Sequence, residues 1–182
     1  MADITHGTWI KDGKAVDAVY QNGRQVYGRN LIHDTSFERD MWHNIWNNST
    51  MSITSDGNLK FTIPDTHQAG VGVTTDSLAM GIYTLTAKVR GHGQLQPYVM
   101  YWDIGNYGIY SISCPMINSD TDFVGIKYTF ALKDKDPAKQ YAFAILTASA
   151  AGNWLEIKKD SLKLESGNKA TPWSPAPEDI LN

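Results

Sequence analysis

The chain of 182 residues has a single cysteine, Cys114, so no internal disulfide can form and the fold does not depend on oxidation. With no metal-site partner in the sequence, Cys114 reads as a small packing residue before Pro115. Charge is scarce: 19% of residues are charged, and the formal net charge is −3. A nucleic acid or an anionic membrane surface calls for a basic excess, so neither is expected as a partner. No apolar run approaches the roughly 20 residues of a membrane helix, and the N-terminus has no signal-peptide core. The five histidines (His6, His33, His43, His67 and His92) are scattered, without the ligand spacing of a zinc site. There is no serine elbow, no Cys/His pair and no phosphate-cradling loop; Gly91-His92-Gly93 reads as a hairpin. Repeats and low-complexity tracts are also missing. What is present, 42% hydrophobic residues at this length, suffices for about one domain with a real core.

Aromatic residues are concentrated. Gly93–Tyr110 holds Tyr98, Tyr101, Trp102, Tyr107 and Tyr110, five of the chain's fifteen tryptophans and tyrosines. Gln94–Trp102 alternates as a strand does, with Leu95, Pro97, Val99 and Tyr101 on one face and Gln96, Tyr98, Met100 and Trp102 on the other. If the Leu/Val face is buried, the other presents flat rings beside amide groups. Rings stack on apolar C–H faces and amides bind hydroxyls, a combination suited to sugars. If both faces are buried, the rings are core.

Taken in order, residues 7–28 read as a small β-meander with turns at Asp12-Gly13 and Asn22-Gly23, the strongest short-range hairpin signals. Asn30-Leu31-Ile32 reads as a short apolar strand entering a polar turn. Met41, Trp42, Ile45 and Trp46 then fit a helical turn or an aromatic plug. From Met51 the pattern is nearly all β, with Gly, Pro, Asn and Asp punctuating short runs. This spacing predicts an all-β fold, an antiparallel β-sandwich or jelly roll. Tyr83, Leu85, Ala87 and Val89 should face the core, with Thr84, Thr86, Lys88 and Arg90 outward. Tyr141–Ala148, apolar on both faces, reads as a central strand. The tail around Pro172, Pro175 and Pro177 reads as an extended tether.

Several segments carry a resemblance. Asn30-Leu31-Ile32…Phe37-Glu38, with Trp154-Leu155-Glu156-Ile157 and Asp160-Ser161-Leu162-Lys163-Leu164-Glu165, resembles jelly-roll, galactose-binding-like carbohydrate-binding modules. The flanks Asp12–Tyr20, Val26–Leu31 and Leu164–Asp179 look like such modules in tail proteins of phages infecting lactic-acid bacteria. The resemblance implies an N-terminal meander and linker (1–29), a jelly-roll carbohydrate-binding domain (30–168) and a Pro-rich linker (169–182). It further implies location on the virion, at the tail tip or baseplate, with host cell-wall polysaccharide and other tail proteins as partners. Many relatives hold a structural calcium between the first and last strands. Glu38 and Asp160 are the matching positions, with Asp34 nearby, and carbonyls and water would complete the six to eight oxygens required.

Glycoside hydrolysis needs two facing carboxylates. Asp103, Glu156 and Asp160 are the acids in or beside the strongest β region, and Asp103 next to stacking rings suits a hydroxyl acceptor better than half of a catalytic pair. Glu156, Lys158 and Asp160 alternate as a solvated strand face would. A polysaccharide depolymerase is therefore the least favoured reading. The expected function is non-catalytic sugar recognition. Tyr98 and Trp102 would stack, Gln96 and Arg90 would bind hydroxyls from the same sheet face, and Asp103, Asn106 and Tyr107 would contribute from the following loop. The Trp42/Trp46 cluster is an alternative location. A structural decoration domain docking on another tail protein is the competing reading.

Overall fold

The computed structural model describes residues 3–5, 7–45, 49–63, 69–74, 78–94, 96–103, 106–111, 116–132, 140–147 and 152–181. At 3–5, 45, 69, 74, 94, 96–103, 106–111 and 140–147 it describes the backbone alone. The chain opens with β1 (Asp3–Thr5), β2 (Thr8–Lys11), β3 (Lys14–Ala15), β4 (Ala18–Gln21) and β5 (Arg24–Gly28). Asp12-Gly13 has φ of 52° and 73°, and Asn22-Gly23 has 51° and 73°. Both central residues of each turn are thus left-handed, as the tightest hairpin turns require. The single meander read from the sequence is instead two small sheets, β1-β2-β3 and β4-β5, because the chain leaves strand conformation at Val16-Asp17.

Two antiparallel sheets follow. One holds β13 (Met116–Leu132), β10 (Gly81–Gln94), β15 (Trp154–Ile157), β8 (Leu59–Thr62) and β7 (Thr50–Ile53) in that order, with β16 (Lys163–Ser166) also on β10. The other runs β12 (Asn106–Ser111), β11 (Gln96–Asp103), β14 (Gln140–Thr147), β9 (Ala69–Thr74) and β6 (His43–Ile45). Leu59, Phe61, Leu85, Leu155, Ile157 and Leu164 of the first sheet share one buried cluster with Val71 and Val73 of the second. Each such side chain removed from water contributes about 1.5–3 kcal/mol, which is what holds the layers together. The protein is an antiparallel β-sandwich. The expected alternation along β10 holds: Tyr83, Leu85, Ala87 and Val89 are buried, and Lys88 is exposed. Thr84, expected outside, is buried beside β16, and its hydroxyl donates to the Gly167 carbonyl at 2.7 Å. As expected, β14 is central, between β11 and β9.

Three local expectations are corrected. Gly91-His92-Gly93 is no hairpin but lies inside β10, where the pairing register with β13 shifts between Val89 and Gly91. Asn30-Leu31-Ile32 is not a strand; the fully buried Asn30 side chain makes the local bonds instead, accepting from the Ile32 amide at 3.2 Å and the Leu164 amide at 3.1 Å. The Met41–Ile45 segment has no helical turn, and Trp42 is a plug: it is buried, edge-on to Phe37 at 5.7 Å, with its N–H on the Asp34 carbonyl. Trp46 and Cys114 lie outside the described residues.

The Pro-rich tail is extended but no free tether. Ser174 and Ala176 are buried, and Pro177 starts a short helix α1 (Pro177–Leu181). Lys163, fully buried, donates to the Thr171 hydroxyl at 2.8 Å and the Pro172 carbonyl at 2.7 Å. Glu165, also fully buried, accepts from the Thr171 amide and hydroxyl, both at 2.7 Å. The Gly28 amide joins at the Thr171 oxygen at 3.1 Å, and Thr8 donates to the Pro175 carbonyl at 2.9 Å. N-terminal strands and tail are thus fastened to the sandwich by one polar cluster.

Burial pushes the Lys163 ammonium down to about 8 from 10.5, partly offset by Glu165. Below pH 8 both folded and unfolded lysine are protonated, and the cost of burying the charge is fully felt. Between about 8 and 10.5 only the folded lysine loses its proton, so the Lys163 contribution to stability rises with pH. Relative to Lys163→Met, the native chain should gain on the order of 2 kcal/mol between pH 7.5 and 10. Urea unfolding of both proteins at the two pH values checks this; a constant difference would refute it.

Candidate functional site

Strand register places the aromatic positions. On β9, Val71 and Val73 are buried in the core, so their register partners Ile145 and Phe143 on β14, and Pro97 and Val99 on β11, are on the core-facing side. The alternate positions make the opposite face of the five-stranded sheet. There Gln96, Tyr98, Met100 and Trp102 follow one another along β11, and Trp102 is directly paired with Tyr107 of β12. Asp103 pairs with Asn106 and closes the β11–β12 hairpin. Six of the seven sequence-predicted positions are therefore brought together on one hairpin.

The rows across this face have small residues in the middle. Tyr98 aligns with Ala144, Gly72 and His43; Met100 aligns with Ala142 and Thr74. Only the middle row, Ala144 with Gly72, has nothing larger than a methyl group on both inner strands between β11 and β6; Ala142 is beside Thr74, and Gly70 is beside Leu146 in the Gln96 row. Those outer strands lie three strand spacings apart, about 14 Å. Gly70 and Gly72 are buried, and His43 is exposed at the far edge. The sequence reading missed this floor. Its signal was present in Ala69-Gly70-Val71-Gly72-Val73 and Ala142-Phe143-Ala144-Ile145, which alternate small with large.

Arg90, the seventh position, is on the other sheet. It belongs to β10, so it does not share a sheet face with Gln96. Its guanidinium grips Glu156 of β15, with Nε at 3.0 Å and Nη2 at 2.9 Å from each oxygen, and Nη1 reaches the Thr121 carbonyl at 3.2 Å. Glu156 also accepts from Asn58 at 2.7 Å and is buried, not on a solvated strand face. The strand ends at Ile157, and Lys158–Asp160 turn, with Asp160 at φ 55°.

Glu38 and Asp160 line one cleft with Arg39 and Asp179. Glu38 is ion-paired with Lys159, whose ammonium is held above its usual range by that bond. Burial raises the Asp160 carboxyl, with nearby Lys159 opposing. Asp34 gives its oxygens to the amides of Glu38, Arg39 and Met41 at 2.8, 2.9 and 3.2 Å, and Asp179 is bound by Arg39 at 3.0 Å. Among the described residues no three metal-binding side chains converge. With Lys159 on Glu38 and amides on Asp34, this donor set does not fit calcium, which needs six to eight oxygens.

No protein-family model matches the chain, and no curated protein does. Solved structures do match. The CBM22-1–GH10 modules of Clostridium thermocellum endo-1,4-β-D-xylanase 10B, in complex with xylohexaose, are similar over 79% of this chain at 14% identity and a TM-score of 0.55. The enzymatically active domain of bacteriophage CBA120 tailspike protein 4 is similar over 76% at 13% identity, TM-score 0.51. The chain spans 29% and 21% of those two chains. The N-terminal cellulose-binding domain of Cellulomonas fimi β-1,4-glucanase C is similar over 72% of this chain and 92% of its own at 16% identity, TM-score 0.53. At these identities the likeness is one of fold: the chain has the β-sandwich architecture found in carbohydrate-binding modules.

Proposed function

We propose that the protein is a non-catalytic carbohydrate-binding module of a phage tail protein, attaching the virion to host cell-wall polysaccharide. The observation that carries this is the register that puts Gln96, Tyr98, Trp102 and Tyr107 on one outer face beside the small-residue floor. A saccharide lies along the floor, with Tyr98 and Trp102 as stacking platforms and Gln96 meeting hydroxyls; Asp103 and Asn106, at the alternate strand positions, meet hydroxyls from the end of the hairpin and not from this face. Arg90 acts here through Glu156, holding β10 to β15. The fold likeness to the xylanase modules complexed with xylohexaose and to a cellulose-binding domain supports the sugar chemistry, and the flanking segments that look like phage tail modules support the virion setting. Catalysis is not proposed: Glu156 is buried in its pair with Arg90, which leaves Asp160 without it as a facing partner. Such a site binds one or two sugar units weakly, and attachment comes from many copies on one virion.

The test uses a fluorescent fusion of the chain on isolated host walls stripped of protein. Tyr98→Ala and Trp102→Ala should each weaken binding about 10-fold, which corresponds to about 1.4 kcal/mol for each lost stacking contact. Unchanged binding would refute the site. A spacer that docks on another tail protein is the second reading, favoured by the rigid exit of the chain, where Arg29 pairs with Glu178 and Arg39 with Asp179 of the C-terminal helix. It predicts no binding to stripped walls.

A further inference from the structure

We propose a second binding site on the opposite side of the sandwich, on the outer face of the six-stranded sheet, for a saccharide carrying phosphate or carboxylate. A groove of about 610 Å³ runs there between β10, β13, the Lys158–Ser161 turn and the tail. Pockets of this size accommodate small ligands. Lys88, Lys158 and Lys159 line it together with Trp173. Lys88 and Lys158 are exposed, and neither is ion-paired to a carboxylate among the described residues. Lys127 stands on the same face, opposite Thr86. Among the described residues Asp160 is the one carboxylate lining the groove, and Lys159 lies beside it. On a chain with net charge −3, this is a local positive field.

The groove is built. The turn is tied to β10 by the Lys158 amide on the Lys88 carbonyl at 2.9 Å and the Lys88 amide on the Ser161 hydroxyl at 3.1 Å. The lysine backbones are therefore fixed; the Lys158 ammonium rests 5.6 Å from the centre of the Phe123 ring, an exposed contact that leaves its charge unneutralised. Trp173 is half-buried, and its N–H is already bonded to the Thr35 hydroxyl at 3.2 Å. What it offers the groove is apolar ring. At the floor, Gly125 faces Lys88, and a Cβ built on it would meet nothing within 4 Å. An indole beside ammonium groups matches a sugar ring bearing an anion: the ring stacks and the charge is neutralised. Neutral sugars have no use for the lysines, and a bare anion has none for the tryptophan.

The test is an amide-resolved NMR titration of the full chain with glucose 6-phosphate, glucuronate, glucose and inorganic phosphate at one ionic strength. The anionic sugars should shift the amides of Lys88, Gly125 and Ser161 and the Trp173 indole N–H. Their apparent affinity there should be at least 5-fold above that of glucose and should fall with added salt. Gly125→Leu, which fills the groove without altering charge, and Lys88→Glu with Lys158→Glu should each weaken this binding at least 10-fold. The double lysine variant keeps the test open if the leucine disturbs folding. Shifts confined to β11 and β12 would overturn the second site while leaving the aromatic face standing. So would inorganic phosphate acting as strongly as the anionic sugars, or undiminished binding by both variants.

Discussion

Replacing Asn30 by alanine should lower the melting temperature by roughly 10 °C, an effect usually reserved for large core truncations. Asn30 is fully buried and joins three segments distant in sequence. Its amide nitrogen donates to the Leu162 and Ser174 carbonyls, both at 3.1 Å, and to the Thr35 hydroxyl at 3.3 Å. Its oxygen accepts the Ile32 and Leu164 amides. Alanine leaves these buried groups without their partner, and each orphaned group costs about 1–3 kcal/mol where water cannot enter. The penalties do not add fully, so a total near 4 kcal/mol is expected. Asn30→Asp should be nearly as harmful, because it sets an oxygen against two carbonyl oxygens. Calorimetry decides: a fall of less than about 3 °C for the alanine variant would mean that the loop is held by something else.

The second large effect belongs to Gly91. A methyl group there would overlap the Trp154 carbonyl oxygen and lie 3.0 Å from Leu155 Cα, and the backbone sits at φ 130°, which side chains rarely adopt. The obstructing atoms are the backbone of β15, paired to β10 on one side and β8 on the other, so they cannot move aside. Gly91→Ala should therefore cost at least about 3 kcal/mol, combining backbone strain with a broken strand approach. Gly125→Ala, in the neighbouring strand with open space above it, should be neutral or slightly stabilising. Urea midpoints of the two variants side by side provide the measurement. If Gly91→Ala unfolded within 1 kcal/mol of the native chain, the tight contact between β10 and β15 would be disproved.

These two residues also mark where sequence reading stops. Asp12-Gly13 and Asn22-Gly23 were legible because turn geometry is decided by adjacent residues. The Tyr83–Val89 alternation was legible because burial on one face follows from period two. Gly91 was misread because its requirement comes from β15, more than sixty residues away, and a glycine pair around a histidine looks locally like a turn. Asn30 was misread because three of its five side-chain bonds go to the distant Leu162, Leu164 and Ser174, while Leu31 and Ile32 beside it look like a strand. The tail was read correctly as extended. Its burial depends on Lys163 and Glu165, whose pairing with Thr171 composition does not reveal. At the candidate site, Trp102 and Tyr107 are close in sequence, so their pairing across one hairpin could be anticipated. Arg90 could not be placed, because its partner Glu156 is on a neighbouring strand of the other sheet.

The central claim, that the face of β11 binds saccharide, is tested most directly by retention of the chain on a panel of immobilised bacterial wall polysaccharides, with Trp102→Ala run in parallel. Retention is expected on at least one polysaccharide, displaced by the same polysaccharide in solution and lost in the variant. No retention on any of them, or equal retention of native and variant proteins, would contradict it.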